Sequence, residues 1–213
     1  MKKKLIRILS LFICFCLTTY IVLNIYCNFN ASKIYEKDVI DETKIELSDT
    51  QVEIASFVFS KQANPKFKRL PLLTDYFSSA NRGAYIFVQE YGACNLFPDN
   101  TCWHCLSPKG KKIKAFCTSR YVVRNIGYKI CYNYIFSASY FGNGIYGLEN
   151  AAMFYFGKSY KDLSQKEFIN LVLMSIHPVK YDTLEKVNAK AINDEIIEIY
   201  SNFEKARKKL KKV

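Results

Sequence analysis

Apolar residues fill the chain from Ile8 to Cys27, interrupted only by Ser10, Thr18, Thr19 and Asn24. About 20 such residues at 1.5 Å rise match the hydrocarbon core of a bilayer. Lys2, Lys3, Lys4 and Arg7 precede the run. It ends at Asn24-Ile25-Tyr26-Cys27, with no small-residue cleavage site and with residues too bulky for a lipoprotein signal. The pattern predicts an uncleaved transmembrane anchor over 5–27, its basic flank inside and residues from about 30 onward outside. The alternative is a removed signal sequence. Residues 28–46 are polar and mixed in charge and are expected to form a stalk.

From Leu47 onward the pattern turns helical. Ser48 is placed to cap a helix through Val52, Ala55 and Phe59, and Pro65 and Pro71 interrupt the segment after it. Thr74 to Gln89 is ambiguous between helix and strand, because aromatic and β-branched residues crowd it. Residues 93–110 show little periodicity and are expected to be a loop. Ile113 to Phe136 predicts one helix, with Tyr121, Ile126 and Ile130 among its apolar positions. Leu148 to Phe156 predicts a short helix stopped by Gly157. Ser164 and Glu167 form a capping box. The helix they start is apolar on nearly every side, hence buried, and Pro178 ends it. Ile192, Ile196, Ile199 and Phe203 mark a last helix, and 205–213 is a basic tail, either a solvated helix end or a patch touching anionic lipid. The predicted organisation is an anchor at 5–27, a stalk at 28–46, one mainly α domain at 47–204 and the tail.

Composition narrows the class. At 213 residues, 50% hydrophobic and 15% aromatic, the chain builds one ordinary core and is not disordered. No fixed repeat period appears, which excludes a solenoid. The formal net charge of +12 favours an anionic partner. Thr101 to Leu148 holds no Asp or Glu but carries Lys109, Lys111, Lys112, Lys114, Arg120, Arg124 and Lys129. That window is either a solvated basic face or a site for phosphate, pyrophosphate or nucleic acid. Nucleic acid fits poorly with a domain tethered outside the cytoplasm.

Beyond the anchor lie Cys94, Cys102, Cys105, Cys117 and Cys131, all candidates for disulfides in an oxidising compartment. Cys102-Trp103-His104-Cys105 also admits a redox site, or a zinc half-site completed by Cys94 or Cys117. A structural staple is the default, since no thioredoxin-like βαβ pattern surrounds it. His104 and His177 read as structural residues. No Gly-x-Ser-x-Gly, Walker or His-Glu-x-x-His motif is present. Between Gly83 and Leu148 the only carboxylates available as general base are Glu90 and Asp99.

Tyr140-Phe141-Gly142-Asn143-Gly144-Ile145-Tyr146-Gly147-Leu148-Glu149-Asn150-Ala151-Ala152, then Tyr155-Phe156-Gly157-Lys158 and Leu163-Ser164 with Glu167, resembles the peptidoglycan glycosyltransferases (glycosyltransferase family 51). The match is close over Tyr140–Pro178 and extends by spacing over most of 48–200. The resemblance implies a mainly α, lysozyme-like fold behind one N-terminal membrane helix, no cofactor, and a place on a bacterial cytoplasmic membrane with the domain periplasmic or extracellular. It implies as partners the membrane and lipid II (a disaccharide-pentapeptide on undecaprenyl pyrophosphate) or a peptidoglycan glycan strand, with no nucleic acid.

The family's catalytic motifs are degenerate here. Its first, Glu-Asp-x-x-Phe-x-x-His, falls within Phe57–Phe67, which contains no Asp, Glu or His. Of its second, Gly83-Ala84-Tyr85-Ile86-Phe87-Val88-Gln89 keeps the glycine, the isoleucine and the last glutamine. Of its third, Arg-Lys-x-x-Glu, Lys111 and Lys112 persist and Ala115 replaces the carboxylate. Asn133 stands at the glutamate of the fourth. The resemblance therefore implies substrate binding by Gln89, Lys111, Lys112 and Lys158 without a catalytic residue at any family position. Three readings remain: a pseudoenzyme that binds lipid II, glycan strands or another cell-wall synthesis enzyme; a diverged active enzyme using Glu90, Asp99 or Glu149 as base; or a structural or protective envelope protein.

Overall fold

The computed structural model describes residues 2–31, 39–40, 43–70, 81–91, 108–181 and 189–212, without the side chains of 2–6, 8–9, 23–24, 26–31, 89–91, 108–115, 117, 179, 181 and 189–190. The elements are α1 (Lys2–Ala31), α2 (Asp49–Ser60), α3 (Arg82–Tyr91), α4 (Pro108–Asn125), α5 (Tyr128–Ala138), α6 (Leu148–Phe156), α7 (Gln165–Ile176), α8 (Pro178–Tyr181) and α9 (Ala189–Leu210). A 3₁₀ turn at Tyr160–Asp162 precedes α7. Among the described residues the only β pairing is an isolated antiparallel bridge, Tyr140 to Tyr146. The mainly α class is as expected.

Local chemistry sets most helix ends. Ser48 Oγ accepts the Gln51 N–H while Gln51 Oε1 accepts the Ser48 N–H, a complete capping box for α2. Ser164 and Glu167 do the same for α7. Gly157 ends α6 in the left-handed region at φ 64°, its N–H donating to the Met153 carbonyl. The single helix expected over 113–136 is instead two. Residues 126–127 break it, and α5 starts from an extended Gly127 (φ −65°, ψ 137°). The apolar spacing runs on through the break because Val122, Ile126, Cys131 and Ile135 all enter one core.

That core joins α2, α3, α5 and α7. Phe59 stacks on Tyr132 and on Phe136, each at 6.0 Å, and Phe136 meets Phe168 at 5.6 Å. Phe87 packs edge-on to Tyr134, and Phe57 to Phe203 of α9. Fully burying each such ring contributes about 1.5–3 kcal/mol. The α3–α5 contact is close enough to require glycine: a Cβ on Gly83 would lie 2.4 Å from Tyr132 Oη.

Two boundaries differ from those read in the sequence. Val39 and Ile45, in the expected stalk, are buried core residues, and the Lys44 and Glu46 N–H groups donate to Ser137 Oγ and Tyr160 Oη. The basic tail continues α9 as far as Leu210, and Arg207 Nε lies 3.0 Å from Glu53 Oε2 on α2. Its guanidinium is thereby part of the fold.

Among the described residues no helix is long and apolar enough to cross a membrane. On α1 the described side chains are those of Arg7, Ser10 to Val22 and Ile25. Those side chains are exposed, Leu11 at 70% and Phe15 at 69%, and α1 packs along α4.

Candidate functional site

The stretch where the family resemblance places its first motif is the end of α2. There Lys61 adopts left-handed backbone (φ 60°, ψ 21°), its N–H donating to the Phe57 carbonyl at 2.8 Å. A side chain in that region costs roughly 1–2 kcal/mol where glycine costs none. Ser56 Oγ then donates to the Gln62 carbonyl, tucking the next turn against α2. Further on, Asn81 holds Lys68 from both sides, Oδ1 accepting its N–H and Nδ2 donating to its carbonyl, each at 2.8 Å. That clamp fixes the start of α3 and with it Arg82.

Lys61 and Arg82 line one cavity of about 290 Å³. Val58, Phe59, Ile86, Leu173, Ile176 and Ile199 give it an apolar lining; His177, Lys180 and Glu195 complete its polar side. Among the described residues three permanent cations thus face one carboxylate. Lys180 Nζ donates to Glu195 Oε2 at 3.0 Å. Among the described residues neither Lys61 nor Arg82 has a carboxylate partner, and the Arg82 guanidinium lies 5.6 Å over the Tyr85 ring. A general base must reach the proton it removes with a free lone pair. Among the described residues the one carboxylate lining the cavity has an oxygen bound to an ammonium in a charge-assisted bond. The arrangement suits holding an anionic or hydroxyl-rich group better than deprotonating one.

The other sequence candidates are scattered. Glu149 Oε2 accepts from Ser159 Oγ and from the Tyr160 N–H, both at 3.1 Å, so it caps the 3₁₀ turn. Lys158 Nζ donates to Glu167 Oε1 at 2.8 Å. With the Ser164 N–H, that ammonium holds the Glu167 carboxyl below its ordinary value. Asn133 Oδ1 accepts the Leu47 N–H, and Cys131 is wholly buried. Gln89 and Glu90 lie on α3 and Lys111, Lys112 and Cys117 on α4, but their side chains are outside the described residues. Asp99, Cys94, Cys102 and Cys105 lie outside them altogether, as does His104, so the metal and disulfide alternatives both stand. No sequence pattern singles out Lys61, Arg82, Lys180 and Glu195 together. A usable signal is present only for Lys61, which stands where the first motif should hold its acids.

The glycine-rich segment proves to be a backbone device. Phe141 N–H donates to the Ile145 carbonyl and Gly147 N–H to the Ser139 carbonyl, closing a tight loop. Gly147 has φ +82°, and a Cβ there would also crowd the Ser137 carbonyl at 3.2 Å. Tyr155 Oη donates to the Phe141 carbonyl and accepts from Asn143 Nδ2. These residues carry the family likeness and shape the loop that leads into α6.

A family model described as Transglycosylase matches residues 111–203, from the basic start of α4 into α9. Over these residues the chain is similar to transglycosylases, which points to a peptidoglycan glycosyltransferase-like class with peptidoglycan or lipid II as its general substrate. The match spans less than half of the chain and begins after the segment where the first and second motifs would stand. No curated protein matches the chain.

Proposed function

We propose that this protein is a membrane-anchored glycosyltransferase-like pseudoenzyme that binds lipid II or glycan strands without polymerising them. The observation that carries this reading is the cavity at the end of α2. There Lys61 and Arg82 have no carboxylate partner among the described residues, and Glu195 is held by Lys180. Losing one positioned general base typically costs 10²–10⁴ in rate. The cationic side chains retain their attraction for a pyrophosphate-bearing or polar saccharide ligand. α1 supplies the single-pass anchor in this reading, N-terminus inside. Support for that comes from its mostly apolar sequence over Ile8–Cys27 and the exposure of its described side chains.

The test is an affinity measurement on the full chain in detergent. Fluorescent lipid II is expected to bind saturably, and the Lys61→Ala, Arg82→Ala double variant to bind at least tenfold more weakly. Equal affinity of the two proteins, both folded by circular dichroism, would remove the cavity from the account.

A further inference from the structure

One face of α9 (Ala189–Leu210) is used by the fold and the opposite face is not. Ile196 and Phe203 are buried in the core, and the helix packs on α7 and α2. The outer face is a seam of Asp194, Ile197, Ser201, Lys205 and Lys208, at steps of three, four, four and three residues, with Glu198 beside it. All six are exposed, Ile197 at 45%. Among the described residues none of the four charged groups has an ion-pair partner.

The charges on this seam are sorted by sign. Its acids lie in the first half of the helix and its lysines in the second. The helix dipole explains little of the sorting, because it acts within the first and last turns. Only Lys208 falls there; Asp194 is the sixth residue of α9 and Lys205 the sixth from its end. Along one copy the sorting is unfavourable. Asp194 and Glu198 at i, i+4 are like-charged neighbours, as are Lys205 and Lys208 at i, i+3. An antiparallel second copy sets opposite charges against both pairs. Asp194 and Lys208 lie seven residues either side of Ser201, and Glu198 and Lys205 three and four. A two-fold axis at Ser201 therefore brings each acid opposite a lysine, with the short serine side chains where the two helices come closest. Ile197, four residues from that axis as Lys205 is, meets the aliphatic stem of the lysine.

We propose that α9 is a self-complementary docking surface through which two copies of this chain pair antiparallel, Asp194 and Glu198 of each facing Lys208 and Lys205 of the other. Exposed ion pairs are individually weak, so the dimer depends on the whole symmetric set and on Ile197, and salt loosens it. Glu195 and Ile199 line the α2-end cavity and take no part in the seam. The pairing is thus independent of what that cavity binds.

The test is sedimentation velocity of the full chain in a neutral detergent. A reversible dimer is expected at about 0.1 M salt, with a dissociation constant at least tenfold higher at about 1 M, where the Debye length falls to about 3 Å. Asp194→Lys with Glu198→Lys, and separately Lys205→Glu with Lys208→Glu, should each give a monomer. An equal mixture of the two reversed proteins should restore a dimer, because the all-basic seam of one then meets the all-acidic seam of the other. Circular dichroism checks that both fold; if one does not, the milder Asp194→Asn with Glu198→Gln should still weaken the parent dimer at least tenfold. The proposal is overturned if the parent stays monomeric up to about 0.1 mM, which would leave this face to a partner of another kind. It is also overturned if either reversed protein dimerises alone as the parent does, or if the mixture of folded reversed proteins stays monomeric.

Discussion

Asn133 Oδ1 accepts the backbone N–H of Leu47 at 3.0 Å, with both residues buried. This one bond fixes the chain entering α2 to the middle of α5. In the family resemblance the same position carries a glutamate. The amide here accepts the hydrogen bond without a buried charge, which would cost several kcal/mol unless paired. Asn133→Leu removes the acceptor and leaves the Leu47 N–H unsatisfied, an expected loss of about 1–3 kcal/mol. Urea denaturation is the check, and a stability within about 0.5 kcal/mol of the parent, the scatter of surface changes, would mean that water replaces the bond.

The contact between Gly83 and Tyr132 makes a second prediction. Tyr132 is held by the Phe59 and Phe67 rings, and burial drives its hydroxyl pKa well above the ordinary value. The ring therefore has no room to retreat from a new methyl group. Gly83→Ala should cost about 1–3 kcal/mol by overpacking. Tyr132→Phe removes the nearest clashing atom, so the double variant should cost less than the sum of the singles. A double-mutant cycle by chemical denaturation measures the difference, and simple additivity would place the two residues out of contact.

Glu167 predicts how stability depends on acid. Its folded pKa is depressed, first by the Lys158 ammonium and then by the Ser164 N–H. Such a group contributes stability above its unfolded pKa of about 4.3, and that contribution disappears as pH falls through the lower folded value. Glu167→Gln should therefore melt lower than the parent at pH 6, and the gap should close below about pH 4. Melting curves across that range test it; a gap constant with pH would assign the loss to helix capping alone.

Lys61 separates stability from binding. Lys61→Gly places the unstrained residue in left-handed backbone and is expected to gain up to about 1 kcal/mol. The same change removes a cation from the cavity, so lipid II affinity should fall. A protein that is more stable and binds less well is the signature of strain kept for function. A loss of stability would show that the lysine side chain itself supports the end of α2.

How much of the structure can be read from the sequence depends on the range of each interaction. The Ser164–Glu167 box and the Gly157 stop are interactions within a few residues, and both are legible. The break at Gly127 is hidden because the apolar period runs through it. Val39 and Ile45 look like stalk because their neighbours are polar, and only the packed core shows where their side chains go. The α2-end cavity unites residues 61, 82, 177, 180 and 195, whose meeting depends on the Asn81 clamp and on α9 packing back over α7. No local pattern encodes that meeting. Glu195 in particular lies far along the chain from the motifs whose carboxylates are lost.

The central claim is recognition without turnover, and the most direct measurement is product analysis. The full chain is incubated with radiolabelled lipid II at concentrations where binding is saturated, and the lipid-linked products are separated by gel. The account predicts unreacted lipid II and no polymer above a heat-killed control. Glycan polymer that forms with the parent protein and disappears with Glu195→Gln would contradict it, and would make that carboxylate a working base.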